Sequence, residues 1–305
     1  MTFSPRRELG RTGFVATRLG IGDLADRQLP LATCVDTLRR ALDQGLNLVD
    51  TAPGYEDGYS EEIVGAALCG RRDGVFVIDK IDHLDRPVAP QIEASLRRLQ
   101  LEQVDLFAFH ACSRLEDLQQ LLAPGGGFDQ LRAAAAAGQL RFRGLSSHHP
   151  DVLRVAIESG ACDVVMFPIG PFVDRRYETE VLPLARARGV GTVCFKTFGA
   201  GKLLGDTIGY QQPLAARPRG KTSSGGGATT PTLPTLTVQQ CVHYTLTIDP
   251  DVALLGLSFP NEQDAAWAAA RTFAPLSPGQ LAAIRAEAAA AIAGKGDVWW
   301  NPPAS

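Results

Sequence analysis

The strongest constraint on the fold is a repeated alternation. Eight short runs of β-branched and apolar residues recur along the chain, at 17–21, 46–50, 75–78, 104–109, 142–146, 164–169, 191–195 and 253–257. Between them lie segments of helical period, among them 31–44, 60–68, 88–99, 151–159 and 181–188. Strands that are apolar almost throughout have no face to give to water, so they predict a parallel sheet covered by helices. The spacing is even and the composition does not break between halves. The expectation is therefore an α/β chain folded as a single (β/α)8 TIM barrel over 1–305, rather than two doubly wound domains. No GxGxxG follows the first strand, which removes the usual sign of a Rossmann domain.

Three segments stand outside the repeat. Residues 6–18 hold Gly-Arg-Thr-Gly between apolar stretches and predict an N-terminal hairpin that plugs the barrel's bottom. Residues 211–235 are rich in Gly, Pro, Ser and Thr, carry Arg217, Arg219 and Lys221, and predict a long flexible loop after the seventh strand. Residues 278–293 predict an added C-terminal helix, followed by Trp299, Trp300 and Asn301.

Composition excludes several classes. The chain has 305 residues, is 45% hydrophobic and 21% charged, and carries a net charge of −3, which describes a globular protein without a basic footprint for nucleic acid or an anionic membrane. Its six cysteines lie far apart with no CxxC pair, a pattern that suits reduced, buried thiols and neither a zinc ribbon nor a disulfide framework. No signal-peptide core and no run of about 18 apolar residues occurs. The expectation is a cytoplasmic protein whose partner is a small molecule, with no nucleic acid and no membrane. His148 and His149 are adjacent, so on a strand-like stretch they point opposite ways, and no metal site is expected.

Asp50, Lys80 and His110 stand thirty residues apart, each at the end of an apolar run: LNLVD, VFVIDK and VDLFAFH. In a barrel, strand-end residues of this phase converge at the C-terminal mouth. Tyr55 follows in DTAPGY, where the loop can bend it over the same mouth. Singly, each residue reads as a turn cap, a solvated cation, a core-edge ring or a packing ring. Jointly they read as one catalytic cavity.

These motifs resemble the aldo-keto reductase family. The resemblance is carried by ELGRTGFVATRLGIG, GLNLVDTAPGYEDGYSEEIVGAAL, IEASLRRLQLEQVDLFAFH, GQLRFRGLSSHHP and VCFKTFGAGKLL. It implies a barrel that binds NADP or NAD across its mouth and interconverts a carbonyl and an alcohol, with Asp50, Tyr55, Lys80 and His110 as the catalytic set. The chemistry suits those residues. A free phenol, with a pKa near 10, is a poor acid at neutral pH, and an adjacent ammonium stabilises its phenolate. Lys80 would do so, Asp50 would hold Lys80, and His110 would hydrogen-bond the carbonyl oxygen.

The resemblance also implies a cofactor wall: Gly22, Asp50, Ser146, Ser147, Met166, Phe195, Lys196, Gly199, Gly201, Ser258, Gln263 and Trp267. Met166 stands where a glutamine is common and reads equally as core filling. Trp267 reads as an adenine contact or as packing for the last helix. Leu257 and Gln263 replace the cations that clamp a 2′-phosphate in NADP-preferring relatives, which favours NADH or dual use. The alternative from another class is a cofactor-binding regulatory or interaction protein on the same barrel with little turnover. A metal-dependent barrel hydrolase is a remote third.

Overall fold

The computed structural model describes residues 5–22, 27, 29–204, 234–257, 260–295 and 298–302. Strand β1 (Arg6–Glu8) pairs antiparallel with β2 (Val15–Thr17). Eight further strands form a closed parallel barrel: β3 (Leu19–Gly22), β4 (Leu48–Asp50), β5 (Phe76–Ile81), β6 (Val104–Phe109), β7 (Leu140–Ser146), β8 (Val164–Pro168), β9 (Gly191–Phe195) and β10 (Val252–Leu255). Each expected apolar run carries one of them. The last strand pairs with both β9 and β3, so the barrel has no open edge. The fold is the expected (β/α)8 barrel.

The described helices are α1 (Leu31–Asp43), α2 (Tyr59–Leu68), α3 (Val88–Leu99), α4 (Leu115–Leu122), α5 (Gly127–Ala136), α6 (Pro150–Glu158), α7 (Leu182–Ala187), α8 (Val238–Ile248), α9 (Pro260–Arg271) and α10 (Pro278–Ile292). Amphipathic spacing docks them on the barrel. In α1, Cys34, Val35, Leu38 and Ala41 are buried while Leu31, Ala32 and Asp36 face solvent. None of the described helices is long and apolar enough to cross a membrane.

Strand residues divide by pleat phase between two cores. Leu48, Ile78, Leu106, Ala108, Met166 and Val193 fill the barrel. Val49, Val77, Phe107, Val165, Phe167 and Cys194 pack outward beneath the helices. This division explains why the runs are apolar throughout. It also settles which residues can reach the mouth, because only the inward phase leads there.

The hairpin closes the opposite end, as expected. Leu9 is fully buried with the inner core, and the Arg11 N–H donates to the Gly189 carbonyl at 2.7 Å. Gly10 has a φ of +48°, and a Cβ there would lie 2.2 Å from the Gly191 nitrogen, so glycine alone fits this contact. The C-terminal tail docks at the mouth. Trp300 is fully buried and donates its Nε1–H to the Phe172 carbonyl at 2.9 Å, while the Asn301 amide oxygen accepts from the Asp174 N–H at 2.8 Å. The expected loop 211–235 lies outside the described residues except for Pro234 and Thr235.

Candidate active site

The inward phase brings the four expected catalytic residues together. Asp50 lies across from Gly22 on one side and Ile78 on the other. Lys80 is one pleat above Ile78 and across from Ala108, and His110 follows one pleat above Ala108. Gly22 has a clear local reason to be glycine, since a Cβ there would sit 3.2 Å from the Asp50 carboxylate. Lys80 Nζ donates to Asp50 Oδ1 at 2.6 Å and to the Thr51 carbonyl at 2.7 Å. Both side chains of this ion pair are only 2% exposed.

The loop after β4 curls tightly to return Tyr55 to the mouth. The Tyr55 N–H donates to the Ala52 carbonyl, and Glu56, Asp57 and Gly58 all have positive φ. The Tyr55 ring then lies 4.7 Å from Lys80 Nζ and meets the His110 ring edge-on at 5.7 Å between centroids. Burial pushes the Lys80 ammonium toward losing its proton. The charges of Asp50 and Tyr55 and the hydrogen bond to Asp50 outweigh it, leaving the pKa above that of an ordinary lysine. Lys80 is therefore a permanent cation against the face of a phenol.

Two further residues join this set. Asp82 Oδ1 lies 2.5 Å from His110 Nδ1. His148 lies 5.2 Å from Phe195 between ring centroids. Its pKa falls to about 4, first through burial and then through the charges of Lys196 and His110, so it is neutral at physiological pH. Sequence reasoning assigned neither to the site. The signal was the same period of two: Asp82 follows Lys80, and His148 follows Ser146, by one pleat each.

The cofactor wall is only partly where the resemblance placed it. Phe195 is half-buried at the mouth beside His148. Lys196, Gly199, Ala200 and Gly201 all have positive φ, and the curled backbone closes on itself, the Gly199 N–H donating to the Lys196 carbonyl at 2.8 Å and the Gly201 N–H to the Phe198 carbonyl at 2.9 Å. Ser146 Oγ accepts from the Ala111 N–H at 2.8 Å, and Ser147 Oγ accepts from the His149 N–H at 3.0 Å, so both serines shape the loops around the mouth. Of these positions, Phe195 at the mouth fits the nicotinamide end of such a cofactor.

Three positions are turned away. Met166 is fully buried in the barrel filling, which corrects its assignment to the wall. Gln263 is also fully buried, donating to the Thr37 and Leu257 carbonyls and accepting from Arg40 at 3.0 Å. Its amide is saturated by packing of α9 on α1. Trp267 is 2% exposed with the Arg40 guanidinium 4.9 Å above its ring, so it packs the helix rather than offering a face to adenine. Ser258 lies outside the described residues. Among the described residues no cluster of metal ligands occurs.

Comparison with known proteins decides the family. The model of the Aldo/keto reductase family matches residues 17–247. The chain belongs to that family. It is 30% identical over 216 residues to aldo-keto reductase YhdN of Bacillus subtilis, covering 64% of this chain and 62% of that protein. It is 28% identical over 242 residues to the NADH-specific methylglyoxal reductase of Escherichia coli, covering 68% of this chain and 72% of that one. Among solved structures, aldo-keto reductase AKR11C1 from Bacillus halodurans superposes with a TM-score of 0.71 at 21% identity, over 93% of this chain and 96% of that chain. An aldo-keto reductase from Klebsiella pneumoniae in complex with NADPH gives 0.69 at 21%, over 92% and 94%. The chain spans just under two thirds of the first relative's length and nearly all of the superposed structures. As a member of this family it falls among the NAD(P)-dependent carbonyl oxidoreductases.

Proposed function

We propose that this aldo/keto reductase is a cytoplasmic, single-domain enzyme that interconverts a small aldehyde, ketone or sugar and its alcohol, with Tyr55 as the proton donor. The observation that carries the reading is the Lys80 ammonium, locked by Asp50 at 2.6 Å and set 4.7 Å from the Tyr55 ring. The bound nicotinamide supplies or receives the hydride. Tyr55 gives its hydroxyl proton to the carbonyl oxygen as that oxygen becomes an alcohol. Lys80 stabilises the phenolate left behind, which makes the phenol a usable acid at neutral pH. Asp50 keeps the ammonium charged and aimed. His110 hydrogen-bonds the carbonyl oxygen and fixes its position against the phenol. Phe195 offers a π face for the nicotinamide ring.

NADH, or both cofactors, is the expected choice. Leu257 is buried and brings no charge, and Gln263 is saturated. Arg40, which packs on α9, is tied to Asp264 at 2.6 Å. A 2′-phosphate needs paired donors to offset its desolvation, and these residues do not supply them. The likeness to an NADH-specific relative points the same way. The inward Gln263 and Trp267 also favour the alternative, a binding protein with a weakened grip and little turnover. That alternative has no use for a phenol held against a buried ammonium. Tryptophan-fluorescence titration with NADH and NADPH, followed by a panel of aldehydes and sugars, tests both. Tighter or equal NADH binding with measurable turnover supports the proposal. NADPH binding a hundredfold tighter than NADH would refute the cofactor assignment, and binding without any turnover would favour the alternative.

A further inference from the structure

The Asp82–His110 contact reaches beyond the four-residue set. A carboxylate only accepts hydrogen bonds, so the His110 nitrogen facing Asp82 Oδ1 at 2.5 Å carries a hydrogen. A neutral imidazole has one N–H, and here it is Nδ1–H. The other nitrogen, Nε2, is then a bare acceptor until the ring takes up a second proton. We infer that Asp82 is a positioning residue that holds His110 in the Nδ1–H tautomer, so that His110 donates a hydrogen bond to a substrate oxygen only as the imidazolium.

Asp82 is itself held in place. The Gly54 N–H donates to its carboxylate, and a Cβ on Gly54 would lie 2.7 Å from Asp82 Oδ2. The DTAPGY loop that delivers Tyr55 thus also presses its backbone against Asp82, which couples the two. Asp82 also lines a cavity of about 600 Å³, together with Pro53, Gly54, His83, Arg86 and Arg98. Although burial works to raise the Asp82 pKa, the hydrogen bond and charge of His110, the Gly54 N–H and the charge of Lys80 carry it below the usual carboxylate range. Asp82 is therefore an ionised acceptor at neutral pH. The other groups that face the His110 ring are Tyr55, edge-on at 5.7 Å, and His148 beyond β7, with Lys196 behind it.

The consequence falls on both directions alike. The charged ring presents Nε2–H to the substrate oxygen as that oxygen gains charge in reduction, and the same ring holds the oxygen while the alcohol proton returns to the Tyr55 phenolate in oxidation. This consequence rests on the reductase reading above, whereas the tautomer does not.

The test uses the full chain labelled with ¹⁵N. Long-range ¹H–¹⁵N spectra report the protonation of each ring nitrogen from pH 6 to 9, with His110→Gln to assign the signals. The neutral ring is expected as Nδ1–H in the wild-type protein, and Asp82→Asn is expected to move it toward Nε2–H. Aldehyde reduction by the same proteins, with NADH and NADPH, is then followed over the same range. Wild-type kcat should fall wherever the spectra show the ring without its second proton, while Asp82→Asn, able to present a neutral Nε2–H, should fall far less. A neutral wild-type ring found as Nε2–H overturns the inference, and so do superimposable pH profiles of the two proteins. The wild-type spectrum decides the tautomer even where the variant does not fold. Absence of turnover by every protein would defeat the reductase reading and leave the spectra to judge Asp82.

Discussion

Lys80 and Asp50 form a buried ion pair whose removal has two separable effects. Replacing Lys80 by Met leaves the Asp50 carboxylate 2% exposed and without its ammonium. Breaking such a pair on one side costs about 3–5 kcal/mol. Lys80→Met should therefore lose stability by roughly that amount, read from urea denaturation, along with most of its activity. Adding Asp50→Asn removes the stranded charge, so the double variant should regain stability without regaining turnover. An active double variant would show that Lys80 serves the fold alone. At this scale the sequence was legible where residue type and pleat phase agreed, as for Asp50, Lys80 and His110. It was not legible at Gln263 and Trp267, because resemblance carries a position over without its rotamer. Both residues turn inward here through Arg40, a contact 223 residues away along the chain for Gln263. Asp82 escaped notice because a lone carboxylate beside a strand end reads as a turn residue until its partner is known.

The hairpin plug shows how one glycine can hold an element. A methyl group at Gly10 would meet the β9 backbone, not a side chain that can turn away. The residue also has a φ of +48°, which disfavours alanine on its own. Gly10→Ala should cost about 1–3 kcal/mol, as overpacking does, while kcat per folded molecule stays unchanged because the site is at the other end of the barrel. Equal denaturation midpoints for the variant and the wild type would contradict the plug's role. Strands were easier to read than helices in this chain. Helix α8, rich in Val, Thr and Ile, has weak helix propensity and went unread. Its signal was the capping box that closes its first turn, Thr237 with Gln240, which Ser277 and Gln280 repeat at the start of α10. Helix α4 has eight residues and stands between two turns, too short a span for periodicity to declare itself.

Across the whole molecule, closure of the barrel turns sequence separation into proximity. Four residues spread over sixty positions share one mouth because eight strands tilt around one axis and the inward phase ends at one rim. The tail adds to that rim from the far end of the chain, with Trp299 and Trp300 placed 5.1 and 5.7 Å from Lys196 Nζ. In the proposed function all of this architecture serves a proton placed on one oxygen. The central claim is thus that the Tyr55 hydroxyl, and not the ring, does the chemistry. The direct measurement is aldehyde reduction by Tyr55→Phe, with cofactor affinity measured in parallel by fluorescence. Loss of a general acid lowers rates by about 10²–10⁴-fold, so kcat should fall in that range while the cofactor Kd holds. A Phe variant that reduces the same aldehyde at the wild-type rate would contradict the account.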